Sequence, residues 1–159
     1  MVSLKKQKGF TIVELLIVII IIGILATLVI VTFTGIQAKA RDSKRQTDAN
    51  AVDSHVEAFF AQYGFYPSLA DLQSSTFLST FMKGFDPAAL TDPKSGALSA
   101  TAGASNYGYV ASGSDAAGTC SNTTATTITA GVPQDNGCSK FVFTADLEGG
   151  GTFVKQSNT

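Results

Sequence analysis

The sequence predicts an α+β fold, in which one long N-terminal α-helix is followed by a small β-rich domain. Apolar residues crowd into positions 10–33, and an apolar stripe with helical spacing continues as far as Tyr63. Beyond Pro67, short alternating segments such as residues 140–148 lie among loops rich in Gly, Ser, Thr and Ala. A chain of 159 residues has room for one compact domain besides the apolar segment.

The apolar segment is long enough to cross a membrane. Residues 1–9 read MVSLKKQKG, and residues 10–33 contain no charged side chain except Glu14. A helix of this length is about 36 Å long, which suffices for the hydrocarbon core of a bilayer. The stretch exceeds the core of an ordinary secretory signal and no A-x-A site follows it, so we expect it to stay in the mature protein.

Glu14 is the anomaly of this segment. A carboxylate inside an apolar membrane helix costs roughly 2.5–3.5 kcal/mol on insertion scales, and less near the interface. A simple membrane anchor has no use for such a residue. We therefore expect a partner to meet Glu14 once the helix reaches its final environment.

Residues 9–18, GFTIVELLIV, resemble the leader junction of type IV pilins and of the pseudopilins of type II secretion and competence systems. In that family a membrane-embedded aspartyl peptidase cleaves after the glycine, on the cytoplasmic side, and N-methylates the new first residue. The resemblance implies cleavage between Gly9 and Phe10, N-methyl-phenylalanine at Phe10, and an assembly role for Glu14. It also implies the pilin fold, with the long helix packed against a small antiparallel sheet.

The same resemblance divides the chain into a cleaved leader, a transmembrane half of the helix that becomes the filament core, a packed half, and a β-rich head. These parts are residues 1–9, 10–33, 34–64 and 65–159. Before assembly the subunit is expected in the cytoplasmic membrane as a single-pass protein with a cytoplasmic N-terminus. After assembly it is expected in an extracellular pilus filament.

Elementary electrostatics agrees with this assembly scheme. Cleavage creates a positive amine at Phe10, and Glu14 of an adjacent subunit can neutralise it. The implied partners are further copies of the chain, the prepilin peptidase and methyltransferase, the inner-membrane platform with its assembly ATPase, and minor pilins. The alternative interpretation is a signal anchor that tolerates a glutamate near its end.

Two positions bear on the flexibility of the helix. Many pilins have a proline where this chain has Val31, whereas Gly23 keeps a glycine that weakens the helix by about 1 kcal/mol relative to alanine. We therefore expect the helix interruption that family members show inside filaments to be weak or absent.

A basic run follows the apolar segment, at Lys39, Arg41, Lys44 and Arg45. The chain has 11 basic and 12 acidic residues, which argues against a nucleic-acid-binding face, and acidic residues interrupt the run. A solvated face or salt bridges between subunits are therefore favoured over a DNA-binding patch. His55, the only histidine, is expected to be a packing or surface residue.

The second half of the helix carries an apolar stripe at Val52, Val56, Phe59, Phe60 and Tyr63. Gly64 supplies a helix C-terminal residue and Pro67 prevents continuation, so the helix is predicted over residues 11–63. The apolar residues between positions 76 and 85 are predicted to cover this stripe.

Short elements are predicted in the remaining chain. Residues 66–72 resemble the Tyr-Pro segment that commonly follows the long helix in pilins, and Ser68 and Asp71 form an S-x-x-D capping pattern. Residues 141–147 alternate between apolar and polar, and are predicted to form a hairpin with residues 152–154.

The two cysteines, Cys120 and Cys138, lack the close spacing of a zinc site. If the N-terminal segment sends the domain out of the cytoplasm, a disulfide follows, worth about 3 kcal/mol in the chain-entropy model. The alternative is two unrelated buried thiols. The polar loop between the cysteines is expected to be exposed.

No pattern for enzyme chemistry emerges, and we expect neither catalytic residues nor a cofactor nor a metal. Acidic and amide residues offer no recognisable calcium pattern, although Asp115, Asp135, Asn136 and Asp146 could contribute oxygen ligands. Asn122 begins a glycosylation sequon, which is weak support for glycosylation in a bacterial-type protein.

The function implied by the resemblance is that of a structural subunit of a type IV pilus, serving adhesion, motility or DNA uptake, with the surface or DNA ligand left open. The second hypothesis keeps the fold but makes the chain a pseudopilin of a secretion or competence system. The third is a membrane-anchored binding domain that never polymerises.

Overall fold

The computed structural model describes residues 9–113, residue 120 and residues 125–158. The chain forms two compact units, the first ending at Ala38 and the second beginning at Lys39. The elements are helices α1 (Ile12–Tyr63), α2 (Leu69–Leu72) and α3 (Ser75–Phe81), a 3-10 helix (Pro87–Leu90), and strands β1 (Gly108–Ser112), β2 (Ile128–Thr129), β3 (Val132–Pro133), β4 (Lys140–Asp146) and β5 (Thr152–Gln156). The predicted leader lies outside the described residues apart from Gly9.

Helix α1 confirms the long N-terminal helix that the sequence predicts, and it belongs to both units. At its end Gly64 has a φ of 83°, in the left-handed region that favours glycine, and its N–H donates to the Phe60 carbonyl at 2.7 Å. The helix passes through Gly23 without interruption. The expectation that the helix interruption inside a filament is weak or absent, with Gly23 as its remaining weak point, stays a prediction.

The second half of α1 forms one side of the core of the second unit. Ala49, Val52, Val56 and Phe59 recur at helical spacing and are buried. The ring of Phe59 lies 5.5 Å from that of Phe77, centroid to centroid, so α3 covers the apolar stripe as predicted. Each large apolar side chain buried in this way contributes roughly 1.5–3 kcal/mol, which makes this packing a principal source of stability.

A three-stranded antiparallel sheet in the order β1–β4–β5 forms the other side of the core. The predicted hairpin is confirmed, because β4 pairs with β5 and Ala145 lies opposite Phe153. The strands alternate between buried and more exposed side chains. The buried positions of β1 and β4 include Tyr109, Ala111, Phe141, Phe143 and Ala145.

The loop between the cysteines is closed by the predicted disulfide, which joins Cys120 to Cys138. It contains the short hairpin β2–β3, whose turn residues Ala130 and Gly131 both have positive φ, 53° and 78°. Most of the described loop is exposed as expected, but Thr126 is buried. The loop is therefore anchored at an internal point as well as at its ends.

Asp71 provides this internal anchor. The predicted capping box of α2 is present: the Ser68 N–H donates to Asp71 Oδ2 at 2.8 Å, and the Asp71 N–H donates to the Ser68 hydroxyl at 3.2 Å. The same carboxylate accepts the Thr126 N–H at 2.7 Å and the Thr126 hydroxyl. Because Asp71 is buried, its loss would leave several buried donors unpaired.

We predict that Asp71→Ala lowers the free energy of unfolding by about 2–3 kcal/mol, because it removes a helix cap and leaves the N–H and hydroxyl of Thr126 without an acceptor. Chemical denaturation of the full chain in detergent, followed by near-UV circular dichroism, measures this change. Asp86→Ala is the matched control, since the exposed Asp86 caps a short 3-10 helix by accepting the Ala88 N–H at 2.9 Å, and its loss should cost only about 0.5 kcal/mol. Equal losses in the two variants would contradict the anchoring role.

Candidate assembly site

Thr11 and Glu14 cap the N-terminal end of α1. The Thr11 N–H and hydroxyl donate to Glu14 Oε2 at 2.8 and 2.7 Å, and the Glu14 N–H donates to the Thr11 hydroxyl at 3.2 Å. Thr11 is the N-cap and Glu14 the third residue of the helix, so the two form a capping box. Sequence analysis missed this role of Glu14, although the T-x-x-E pattern signals it.

Gly9 and Phe10 lie immediately before this cap, and both are exposed. A cut between them would leave a positive amine on Phe10, one residue from Thr11. That amine would stand beside a helix N-terminus, which itself carries partial positive charge and favours an anion. Glu14 supplies the only carboxylate of the apolar segment.

The rest of the first unit presents an apolar surface. Every described side chain from Phe10 to Gln37 is exposed, and most are large and apolar. Two threonine hydroxyls on this surface donate to carbonyls of the preceding turn at 2.8 Å, so their polar groups are satisfied within the helix. Among the described residues, α1 is the one helix whose length and composition suffice to cross a membrane.

Three of the four members of the basic run after this surface are paired within the chain. The expectation of a solvated face was wrong for Arg45, which is buried, whereas Lys39 and Lys44 are exposed. Arg41 donates to both carboxylate oxygens of Glu148, at 2.6 and 2.7 Å. Lys44 pairs with Asp48 one helical turn away. Lys39 is exposed and has no ion pair within the described part of the chain.

Arg45, the fourth member, is completely buried. Its Nε and Nη2 donate to the two oxygens of Asp92 at 2.7 and 3.1 Å, and Nη1 donates to Asp42 at 2.9 Å and to Glu148 at 3.1 Å. Asp42 in turn accepts the backbone N–H groups of Glu148 and Gly149, both at 2.9 Å. This ionic cluster fastens the turn between β4 and β5 to α1.

The ionic cluster shifts the pKa values of Glu148 and Arg45. The hydrogen bonds from Arg41, together with those from Arg45 and Lys94, lower the pKa of Glu148 to about 2 against the opposing effect of desolvation. The hydrogen bonds to Asp92 are the main reason that the pKa of Arg45 is raised. Both groups therefore remain charged across the physiological pH range.

The remaining candidates from the sequence do not converge on a site. His55 packs edge-on against Phe85, with ring centroids 5.1 Å apart, which fits a packing residue. Asp135 and Asn136 each accept a backbone N–H two residues on. Among the residues that the structure describes, no group of three or more His, Cys, Asp or Glu side chains could hold a metal ion. The candidates outside the described residues are Asp115 and Asn122.

A comparison with known families bears directly on the N-terminal site. Residues 4–30, which include Gly9, Phe10 and Glu14, match the family described as the prokaryotic N-terminal methylation motif. The chain carries a prokaryotic N-terminal methylation motif. This motif and the apolar helix that follows it fit membrane anchoring, and the motif confirms the resemblance to pilins and pseudopilins.

The similar proteins belong to two groups, pilins or fimbrial proteins and type II secretion core proteins. The chain is 36% identical over 66 residues to the type IV major pilin protein PilA of Myxococcus xanthus, covering 42% of this chain and 30% of that protein. It is 34% identical over 68 residues to the type II secretion system core protein G of Vibrio cholerae, covering 43% of this chain and 47% of that protein. It is 34% identical over 100 residues to the fimbrial protein of Neisseria meningitidis, covering 63% of this chain and 58% of that protein.

The alignments span less than half the length of the first two relatives, and no solved structure matches the chain. The similarity to these two relatives therefore covers only part of each protein.

We predict that Glu148 stabilises the head in a pH-dependent manner. Its pKa is about 2 in the folded chain against an ordinary 4.5, so its contribution is complete above pH 4.5 and is lost as the pH falls towards 2. Glu148→Gln should be less stable than the wild type at pH 7, and the difference should shrink between pH 4.5 and 2. Urea unfolding at a series of pH values measures this change.

Asp86→Asn is the control for this series, because the Asp86 side chain is exposed and accepts a hydrogen bond from the Ala88 N–H rather than from a member of the ionic cluster. Its unfolding should keep the acid dependence of the wild type. If the stability difference between wild type and Glu148→Gln stays constant down to pH 2, the ionised Glu148 carboxylate is not the source of that difference.

Proposed function

We propose that this chain is a structural, non-enzymatic subunit of a type IV pilus, which polymerises through its N-terminal helix. The observation that carries the proposal is the combination, within one methylation motif, of an exposed Gly9–Phe10 junction, a capped carboxylate at Glu14 and an exposed apolar helix. An apolar surface of this size needs lipid before assembly and neighbouring subunits afterwards.

Processing is the first proposed step. A prepilin peptidase cleaves between Gly9 and Phe10 and methylates the new amine of Phe10. The exposure of both residues supports this step, because a protease needs access to the backbone it cuts. The N-terminus then faces the cytoplasm, and the second unit lies on the opposite side of the membrane.

Assembly is the second step. In the single chain, Thr11 satisfies one oxygen of Glu14, which reduces the cost of holding a carboxylate in an apolar segment. In the filament, the amine of Phe10 from a neighbouring subunit pairs with Glu14, and each charge removes the desolvation problem of the other. An inner-membrane platform, an assembly ATPase and minor pilins are the further partners of such a filament.

The pseudopilin of a type II secretion system is the second candidate, favoured by the similarity to core protein G. The pilus subunit is preferred because the alignment with the fimbrial protein extends over 100 residues, beyond the length of α1, whereas that with core protein G covers 68. Electron microscopy of purified surface filaments, with identification of their main protein band, separates the two.

We predict that the native protein begins at Phe10 and carries one added methyl group there. Intact mass measurement and N-terminal sequencing of the protein from its own cells test this expectation. A chain that still carries residues 1–9 would rule out both filament hypotheses and would leave the membrane-anchored binding domain.

We predict that filament assembly depends on the charge of Glu14 and not on its capping bond. Glu14→Gln keeps a side chain that can complete the capping box but removes the charge, so filaments should be lost from the cell surface. Thr11→Val removes the cap, at a cost of about 1 kcal/mol to the helix terminus, but keeps the charge, so filaments should still form. The measurement is the yield of sheared filaments at equal subunit expression.

Normal yield from Glu14→Gln would contradict the ion-pair mechanism. Loss of filaments from both variants would instead assign Glu14 to helix capping alone. Thr27→Val is a suitable control, because its hydroxyl bonds only within the helix.

A further inference from the structure

The outer face of the sheet has an apolar centre. This face is formed by the side chains of β1, β4 and β5 that point away from the core. Val110, Val142 and Val154 are 41, 39 and 46% exposed. The strand register places Val110 opposite Val142, and Val154 beside it opposite Thr144. The three valines therefore form one contiguous patch on a face that no other described element covers.

Two charges of opposite sign flank this patch. Lys140 begins β4 and Asp146 ends it, and their even spacing places both on the outer face, about 20 Å apart. Neither side chain has an ion pair or a hydrogen bond with any residue that the structure describes. By contrast, Lys155 on the inner side of β5 pairs with Asp53 of α1 at 3.2 Å. The outer face thus has a positive end, an apolar middle and a negative end.

We propose that this outer face binds the outer face of a second copy of the chain, with the two β4 strands antiparallel. The two-fold axis lies between the two sheets, perpendicular to β4 and level with Phe143. It brings Lys140 of each copy to Asp146 of the other, so two ion pairs form at once. The same operation places Val110 opposite Gly108, Val142 opposite Thr144 and Val154 opposite Gln156 of the second copy, so each valine packs against a glycine or an uncharged polar residue. With parallel β4 strands, like charges would oppose each other.

The contact is small. Three strands spaced about 4.8 Å apart, each about 20 Å long, present about 300 Å² per copy, or about 600 Å² in total. Stable complexes of two proteins bury about 1,200 Å² or more. The contact is therefore weak between two isolated copies and becomes effective where many copies are arrayed, on a membrane or along a polymer. It does not involve the N-terminal helix, so it goes beyond the proposed function and can hold whether or not α1 assembles.

The test uses the full, uncleaved chain in phosphatidylcholine vesicles, each vesicle carrying many copies. Two vesicle populations with different dyes are mixed, and their clustering is measured by fluorescence cross-correlation. The variants are Lys140→Glu and Asp146→Lys, each alone. Lys83→Glu, at an exposed position outside the sheet, is the control with the same charge change as Lys140→Glu.

Wild-type vesicles should cluster, and less so at high salt. Each single reversal places like charges opposite each other twice, and should reduce clustering about tenfold when its vesicles are mixed with their own kind. Lys83→Glu should cluster like the wild type. Vesicles with Lys140→Glu mixed with vesicles carrying Asp146→Lys should regain clustering, because both interfacial pairs are then attractive again.

This regained clustering also shows that both variants are folded. The proposal is overturned if wild-type vesicles do not cluster, if the single reversals cluster as well as the wild type, or if mixing the two reversals restores nothing. The last result would assign the face to an occupant other than a second copy.

Discussion

A charge removed from water needs a compensating partner, and this requirement governs both units of the protein. In the first unit, the partner of the Glu14 carboxylate is the N-cap Thr11. In the second unit, the buried guanidinium of Arg45 lies among the carboxylates of Asp42, Asp92 and Glu148. Each arrangement satisfies the single chain by itself. The difference is that the Thr11 arrangement is local and exposed, and can be exchanged for a better partner, whereas the Arg45 cluster is enclosed by tertiary structure.

Features that depend on local pattern could be predicted from the sequence. The helical stripe at Val52, Val56 and Phe59, the terminator at Gly64 and the hairpin of β4 and β5 each follow from periodicity or from turn chemistry within a few residues. The capping box of Ser68 and Asp71 belongs to the same class. Such features are encoded where they occur, so no knowledge of the rest of the fold is needed.

Features that depend on contacts between distant parts of the chain could not be predicted in this way. Glu148 meets Arg41 and Arg45 across more than a hundred residues of sequence, and Asp71 meets Thr126 across 55. A run of basic residues on a helix gives no sign of which carboxylates the fold will bring to it. The interpretation of that run as a solvated face failed at Arg45 for this reason. The cap formed by Thr11 is a different case, because its pattern was visible and was overlooked beside the more conspicuous charge of Glu14.

The two hairpin turns of the second unit differ in a way that matters for attaching probes. The turn between β4 and β5 is held to α1 through the backbone of Glu148 and Gly149, so an inserted tag or dye there would break the cluster around Arg45. The turn at Ala130 and Gly131 is exposed, and the contacts that hold its loop to the rest of the unit are made several residues away, by Thr126 on one side and Asn136 on the other. A short epitope or a fluorophore inserted at this second turn would report on the subunit with little disturbance to its core.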